Sequence, residues 1–261
     1  MILILGGRGL MGSAFVRACE RASRPFAVID RQNYAEYAGS ECDLFVNANG
    51  NSSKLLSRTE PLRDFDANVR TVRSTLADFR SRAYLHLSSC DVYPDCSSPL
   101  TTTEDSLPDP ARQSPYGFHK YLAEQCVRHG AAEWLIFRLG GLLGPGLKKN
   151  AIFDILNGGP LWLDPDSSLQ FMNTDKAAEL MLDIADRGIT RRTLNLCGDG
   201  VVQLRDVVDF VARDIPVKPG SPTVRYEVSV AEVAKIVDLP KTRDAVFDFV
   251  RSYARERGAD G

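Results

Sequence analysis

Met1-Ile-Leu-Ile-Leu-Gly-Gly-Arg-Gly-Leu-Met-Gly-Ser13 is the stretch on which the fold turns. Ile2–Leu5 is a short, β-rich apolar run ending in glycine, the mark of a buried strand. Met11, Ala14, Phe15, Ala18, Cys19 and Ala22 then recur at helical spacing, which predicts a helix from about Leu10 to Ser23. Between the two lies Gly6-x-x-Gly9-x-x-Gly12. A glycine pattern alone is weak, but one that closes a strand and opens a helix has a physical reason. Glycine accepts the positive φ of the tight turn and lets the backbone approach a pyrophosphate, while the helix start offers free N–H groups. Phe26–Ile29 reads as the second strand and Asp30 ends it, about 20 residues past the glycines, where a carboxylate can accept the hydroxyls of an adenosine ribose. Asp30 favours NAD(H), because a 2′-phosphate there meets like charge. Arg8 and Arg31 can each grip such a phosphate bidentately, so NADP(H) stays open.

Outward from this unit, Leu44–Ala48 is a third strand. Only about a dozen residues separate it from the second, too few for a full crossover with another strand. Phe65, Val69, Val72, Leu76 and Phe79 form a helical stripe, and Ala83–Leu87 is a strand opening onto Ser88-Ser89. A Pro/Ser/Thr/Asp-rich loop spans Pro94 to Pro115, a helix follows over Tyr116–Arg128, and Trp134–Phe137 is again a strand. Strands alternating with helices predict an α/β fold with a doubly wound parallel sheet. After Gly140 the pattern loosens: helices are expected near 150–157, 174–186 and 203–213, strands near 193–196 and 224–228, and a last helix from Pro240 to Gly258. Residues 1–140 therefore read as a dinucleotide-binding domain and 141–261 as a smaller mixed lobe interleaved with the last elements of the sheet. The tail Gly258–Gly261 is expected to fray.

Composition excludes several classes. The 261 residues are 44% hydrophobic and 25% charged, ordinary for a globular chain and unlike a disordered or collagen-like one. A net charge of −2 removes the general electrostatic case for a nucleic-acid binder. No apolar run approaches the ~20 residues of a membrane span, and Met1–Leu5 lacks a basic n-region. Cys19, Cys42, Cys90, Cys96, Cys126 and Cys197 include no Cys-x-x-Cys pair, so reduced thiols, no metal site and a cytoplasmic enzyme are expected.

Tyr116-Gly-Phe-His-Lys120 sets a tyrosine and a lysine at i and i+4 on one helix face. An ammonium beside the phenol favours the phenolate and is expected to draw its pKa down toward working pH. Such a tyrosine can take a proton from a hydroxyl or return one to a carbonyl oxygen. Ser89, at the end of its strand, is placed to hydrogen-bond the same oxygen.

Taken in order, the glycine turn, Asp30, Asn47-Ala-Asn-Gly50, Asn68-Val69, Ser88-Ser89-x-x-Val92-Tyr93-Pro94, Thr103-Glu104-Asp105, Ser114-Pro-Tyr-Gly-x-x-Lys120, Arg138-Leu-Gly-Gly-Leu-Leu-Gly-Pro145, Phe171-x-x-Thr174-Asp175 and Asn195-Leu-Cys-Gly198 resemble the extended short-chain dehydrogenase/reductases, the NAD-dependent epimerase/dehydratase family. The resemblance implies a Rossmann-type domain, a nicotinamide cofactor, a nucleotide-activated sugar as substrate and a homodimer. It implies a catalytic set of Ser89, Tyr116 and Lys120, with Lys120 also on the nicotinamide ribose. Its cofactor contacts would be Gly6, Arg8, Gly9, Leu10, Met11, Gly12, Asp30, Arg31, Asn47, Ala48, Asn49, Asn68, Lys120 and Leu139. The turn Gly6–Ser13 is similar to that of GDP-fucose synthases, which use NADPH.

The sequence departs from the family in places. Where dehydratases carry an acid and a base, this chain has Cys90 and Asp91, so Asp91 is a candidate base and Cys90 reads as a buried thiol. Leu169 stands where many members place an arginine against the substrate diphosphate; Lys148, Lys149, Arg191, Arg192 or Arg225 could supply that charge. His119 lies one residue off the Tyr–Lys face and is expected to be partly exposed, His86 to be structural, and Trp134 and Trp162 to pack, with Trp162 a second choice for the pocket wall. Three functions fit: an epimerase or dehydratase that regenerates its cofactor, a 4-keto-sugar reductase or sugar dehydrogenase that releases it, and a non-catalytic NAD(P) sensor.

Overall fold

Alternate residues of each strand face opposite sides of a sheet, so a strand apolar at every position must be covered on both. Ile2–Leu5 is such a strand, and in the computed structural model, which describes residues 1–259, it sits inside a six-stranded parallel sheet. The strands are β1 (Ile2–Leu5), β2 (Phe26–Ile29), β3 (Glu41–Asn47), β4 (Arg80–Ser89), β5 (Trp134–Leu139) and, later, β9 (Arg192–Leu196). Their order is β2-β1-β3-β4-β5-β9. Ile2 and Ile4 enter a core with Leu85, Phe137 and the apolar stripe of α1 (Leu10–Arg21). Leu3 and Leu5 face the other way, onto Phe45, Tyr84, Val72 and Val127.

The stretch between β2 and β3 holds only the four-residue helix α2 (Tyr34–Tyr37), so β2 is the sheet edge and β3 pairs with the far side of β1. That reversal leaves a crevice above the C-terminal ends of β1 and β3, the place where open α/β sheets take ligands. The predicted stripe from Phe65 to Phe79 is split: α3 (Lys54–Thr59), α4 (Pro61–Phe65), a π-helical turn (Asp66–Arg70) and α5 (Thr71–Asp78). The helix that carries Tyr116 and Lys120 is α6 (Pro115–Gly130).

Beyond β5 the chain builds β6 (Gly141–Leu143), α7 (Ala151–Leu156), β7 (Ser168–Leu169) and β8 (Phe171–Asn173). It then returns to the large sheet through α8 (Thr174–Asp186), which lies along α1, and β9. Then come β10 (Val202–Gln203), α9 (Leu204–Val211), β11 (Arg225–Tyr226), α10 (Ala231–Ala234) and α11 (Thr242–Ala259). Leu143, Ile152, Phe171, Val202, Leu204 and Phe247 form this part's own core. The last helix starts two residues after Pro240 and includes Gly258 and Ala259; the fraying expected of the tail concerns, at Asp260 and Gly261, positions outside the described residues. Among the described residues no helix is long and apolar enough to cross a membrane.

Candidate active site

Gly6 has φ +82°, and its amide donates to Ile29 O at 3.0 Å, closing the turn against β2. A Cβ on Gly12 would collide with the Gly6 carbonyl, so only glycine lets α1 dock this tightly. Gly9 caps α1 with no side-chain hydrogen bond, and no acidic residue occupies its first turn. The leading N–H groups and the positive end of the helix therefore remain available to an anion. Asp30 accepts from Gln32 N at 2.8 Å through Oδ1 and pairs through Oδ2 with Arg8 at 3.0 Å. Asp30, expected to repel a 2′-phosphate, and Arg8, expected to be able to hold one, thus pair with one another at the rim.

A cleft of about 790 Å³ runs from this turn across the strand ends. Of the expected residues it is lined by Arg8, Gly9, Leu10, Met11, Ala48, Asn49, Ser89, Asp91, Tyr116, Lys120 and Leu139. Gly6 and Gly12 shape the turn from beneath. Arg31 points to solvent. The Asn47 side chain turns down into the sheet, where Nδ2 donates to Tyr84 Oη at 2.7 Å and Oδ1 accepts from Asn49 N at 3.1 Å. It thereby braces the loop rather than facing the cleft. Asn68 lies buried behind the cleft in the π-helical turn.

Tyr116 reaches the cleft because α6 starts there. Ser114 caps the helix by accepting from Gly117 N at 3.1 Å, Pro115 fills its first position, and Gly117 packs directly on the Asp91 carbonyl. Farther along, Glu124 receives Arg138 through two hydrogen bonds of 2.9 and 2.8 Å, and Ser88 Oγ at 2.6 Å, tying α6 to β4 and β5. Ser89 Oγ donates to Asp91 Oδ2 at 3.2 Å, and the other Asp91 oxygen takes Lys54 Nζ at 2.7 Å. The Lys120 ammonium lies 5.9 Å from the Tyr116 ring centroid and donates to Leu87 O at 3.4 Å.

The electrostatics correct the expectation for Tyr116. Burial first, and the Asp91 carboxylate second, push its pKa above the ordinary phenol value, against the smaller, opposing influence of the Ser89 hydroxyl. Burial lowers Lys120 to about 8, opposed by Asp64 and Glu124. The resting group is a neutral phenol beside a hydroxyl; it carries a proton that a carbonyl oxygen can take, and burial makes it hold that proton more tightly than a free phenol does. His119 is likewise corrected: it is buried, with Nδ1 2.6 Å from Asp64 Oδ2. Trp162 is 62% exposed and serves neither the core nor the cleft. Cys90 is fully buried, with Sγ 3.9 Å from that of Cys197, and all six cysteines are free.

The cleft also holds residues that the sequence did not single out. Asn51, Ser52 and Lys54 follow β3, Gln170 lies between β7 and β8, and Tyr226 is on β11. Of the proposed substitutes for the missing arginine, Lys148 and Lys149 line the cleft beside Leu169, and Lys149 Nζ donates to Ser52 O at 2.7 Å. Arg191 and Arg192 sit at the opposite end of the sheet, and Arg225 pairs with Glu227.

The model of the NAD dependent epimerase/dehydratase family matches residues 2–197. No curated protein matches the chain. MoeE5 in complex with UDP-glucuronic acid and NAD superposes with a TM-score of 0.81 at 17% identity, over 98% of this chain and 99% of that one. UDP-glucose 4-epimerase with UDP-glucose from Thermotoga maritima gives 0.78 at 15%, over 98% and 99%. RMD from Pseudomonas aeruginosa complexed with NADPH gives 0.77 at 17%, over 97% and 99%. At these identities the likeness establishes a common fold.

Proposed function

The chain belongs to the NAD dependent epimerase/dehydratase family, and from that premise we propose that it moves hydride between a nicotinamide dinucleotide and a nucleotide-activated sugar, with Tyr116 as acid/base. The observation that carries this reading is the convergence of Tyr116, Ser89 and Lys120 on the cleft that the glycine turn also lines. The residues fit the dinucleotide: uncapped N–H groups open α1 toward the cleft, and Asp30 stands at the end of β2 with Arg8 beside it. Structural neighbours are described with NAD or NADPH, and with UDP-glucose or UDP-glucuronic acid. NAD(H) is the preferred cofactor on the strength of Asp30. The second core, from Leu143 to Phe247, forms the substrate side of the cleft, and Lys148 and Lys149 replace the absent arginine against the diphosphate.

When bound, the nicotinamide accepts or returns hydride at the substrate carbon. A carbinol that loses hydride must also lose its hydroxyl proton, and Tyr116 Oη can receive it only as the phenolate, after its own proton has passed to solvent through the open cleft. In the reverse direction the neutral phenol donates to the carbonyl oxygen while Ser89 Oγ holds that oxygen in place. Lys120 offsets the charge that Tyr116 gains when it gives its proton away. A second reading is a 4-keto-sugar reductase, which starts from the protonated phenol; RMD from Pseudomonas aeruginosa, of the same fold, is described in complex with NADPH. Replacing Tyr116 by Phe tests the proposal. Turnover of UDP-sugars should fall at least ~100-fold with dinucleotide affinity kept; full turnover in Tyr116→Phe would overturn the assignment.

A further inference from the structure

Asp64, on α4, is completely buried, and the chemistry above makes no direct use of it. Its Oδ1 accepts from Asn51 Nδ2 at 2.6 Å and from Asn68 Nδ2 at 2.7 Å, and its Oδ2 lies 2.6 Å from His119 Nδ1. One carboxylate therefore joins α4, the loop after β3, the π-helical turn and the helix that carries Tyr116 and Lys120. The consequence falls on Asn68. With its amide nitrogen committed to Asp64, its Oδ1 is directed the other way, buried and without a hydrogen-bond partner. It converges with Lys120 on the open face of Gly50: a Cβ there would lie 2.7 Å from Asn68 Oδ1 and 3.2 Å from Lys120 Nζ.

We propose that Asp64 is a positioning residue for Lys120: its carboxylate, held by His119, Asn51 and Asn68, turns the free Asn68 oxygen to the face of Gly50 that the Lys120 ammonium also meets, and sets its own negative charge behind that ammonium. The role rests on reading Lys120 as the partner of Tyr116. The groups around Lys120 are Asp64 from α4, Tyr116 and Glu124 from α6, and His86 from β4, with Asp91 facing Tyr116. Glu124 is bound to Arg138, a permanent cation, and burial keeps His86 neutral at ordinary pH. Asp64 has no permanent cation among its hydrogen-bond partners, so its charge acts on Lys120. The sequence hides this pair, because Asp64 and His119 are 55 positions apart.

The test follows the ionisation of Lys120 by NMR of lysine labelled at 13Cε, assigned by Lys120→Arg, in the full chain across the alkaline range. Asp64→Asn should lower the Lys120 midpoint by about one pH unit, the effect of removing a nearby opposite charge. Asp64→Ser, small enough to admit a water, is a second charge-free variant should the amide not fold. Asn51→Ala loosens the same cluster but keeps the carboxylate, and should leave the midpoint in place. An unmoved midpoint in the charge-free variants, or an equal shift in Asn51→Ala, would overturn the proposal. This readout requires no turnover, so it stands apart from the Tyr116 test. Where turnover is measurable, its alkaline limb should move with the midpoint.

Discussion

Acidification from pH 7 to pH 5 is expected to remove about 2 kcal/mol of stability through His86 alone. His86 is 1% exposed on β4, opposite Asn47 and Ile136, and neither ring nitrogen has a hydrogen-bond partner. Burial, with the Lys120 charge adding to it, lowers its pKa from 6.5 to about 3. The unfolded chain therefore binds a proton that the folded chain refuses. The contribution is fully present above pH 6.5 and is lost as pH falls toward about 3. At about 1.4 kcal/mol per unit, pH 5 costs about 2 kcal/mol and the limit near pH 3 costs about 5 kcal/mol. Urea unfolding followed by tryptophan fluorescence at pH 7 and pH 5 reads the change, with His86→Leu as the reference that removes every other titration. The wild type should lose about 2 kcal/mol more than the variant between the two pH values. Equal losses would refute the reasoning. At pH 7 the variant should be no less stable, since it removes two unsatisfied polar atoms.

Gly117→Ala sets a methyl against the Asp91 carbonyl and should push the start of α6 away from Ser89. It should cost ~1–3 kcal/mol by chemical denaturation and cut turnover more than dinucleotide affinity. Asp30→Ala removes the ion-pair partner of Arg8 at 3.0 Å and frees that guanidinium. Titration should then show NADP(H) gaining relative to NAD(H) by about tenfold, the equivalent of ~1.4 kcal/mol, and an unchanged ratio would remove Asp30 from the selectivity argument. Lys149→Ala should raise the KM for a UDP-sugar several-fold while leaving dinucleotide affinity unaltered; an equal loss of both would place Lys149 outside the substrate side.

The parts legible in the sequence are those with a local cause. Gly6, Gly9 and Gly12 announce their turn because a positive φ and a close helix–strand approach exclude side chains. Ile2–Leu5 announces a doubly covered strand because it is apolar at every position, and Tyr116 and Lys120 share a face by helical spacing. What was not legible depends on partners distant in sequence. His119 is buried because Asp64 meets it from α4, and Asn47 turns away from the cleft because Tyr84 lies beneath it. The proton affinity of Tyr116 ran opposite to the expectation because burial and Asp91, a residue of another segment, outweigh the opposing influence of the Ser89 hydroxyl. Lys54 carries no motif at all; only the fold brings it to Asp91.

Isothermal titration of the purified chain, freed of nucleotide, with NAD+, NADH, NADP+ and NADPH asks directly whether the cleft over Gly6–Gly12 holds a nicotinamide dinucleotide. Saturable binding of at least one of them at one site per chain, abolished by Gly12→Ala in a protein that remains folded, is the predicted result. Absence of binding by all four would contradict it.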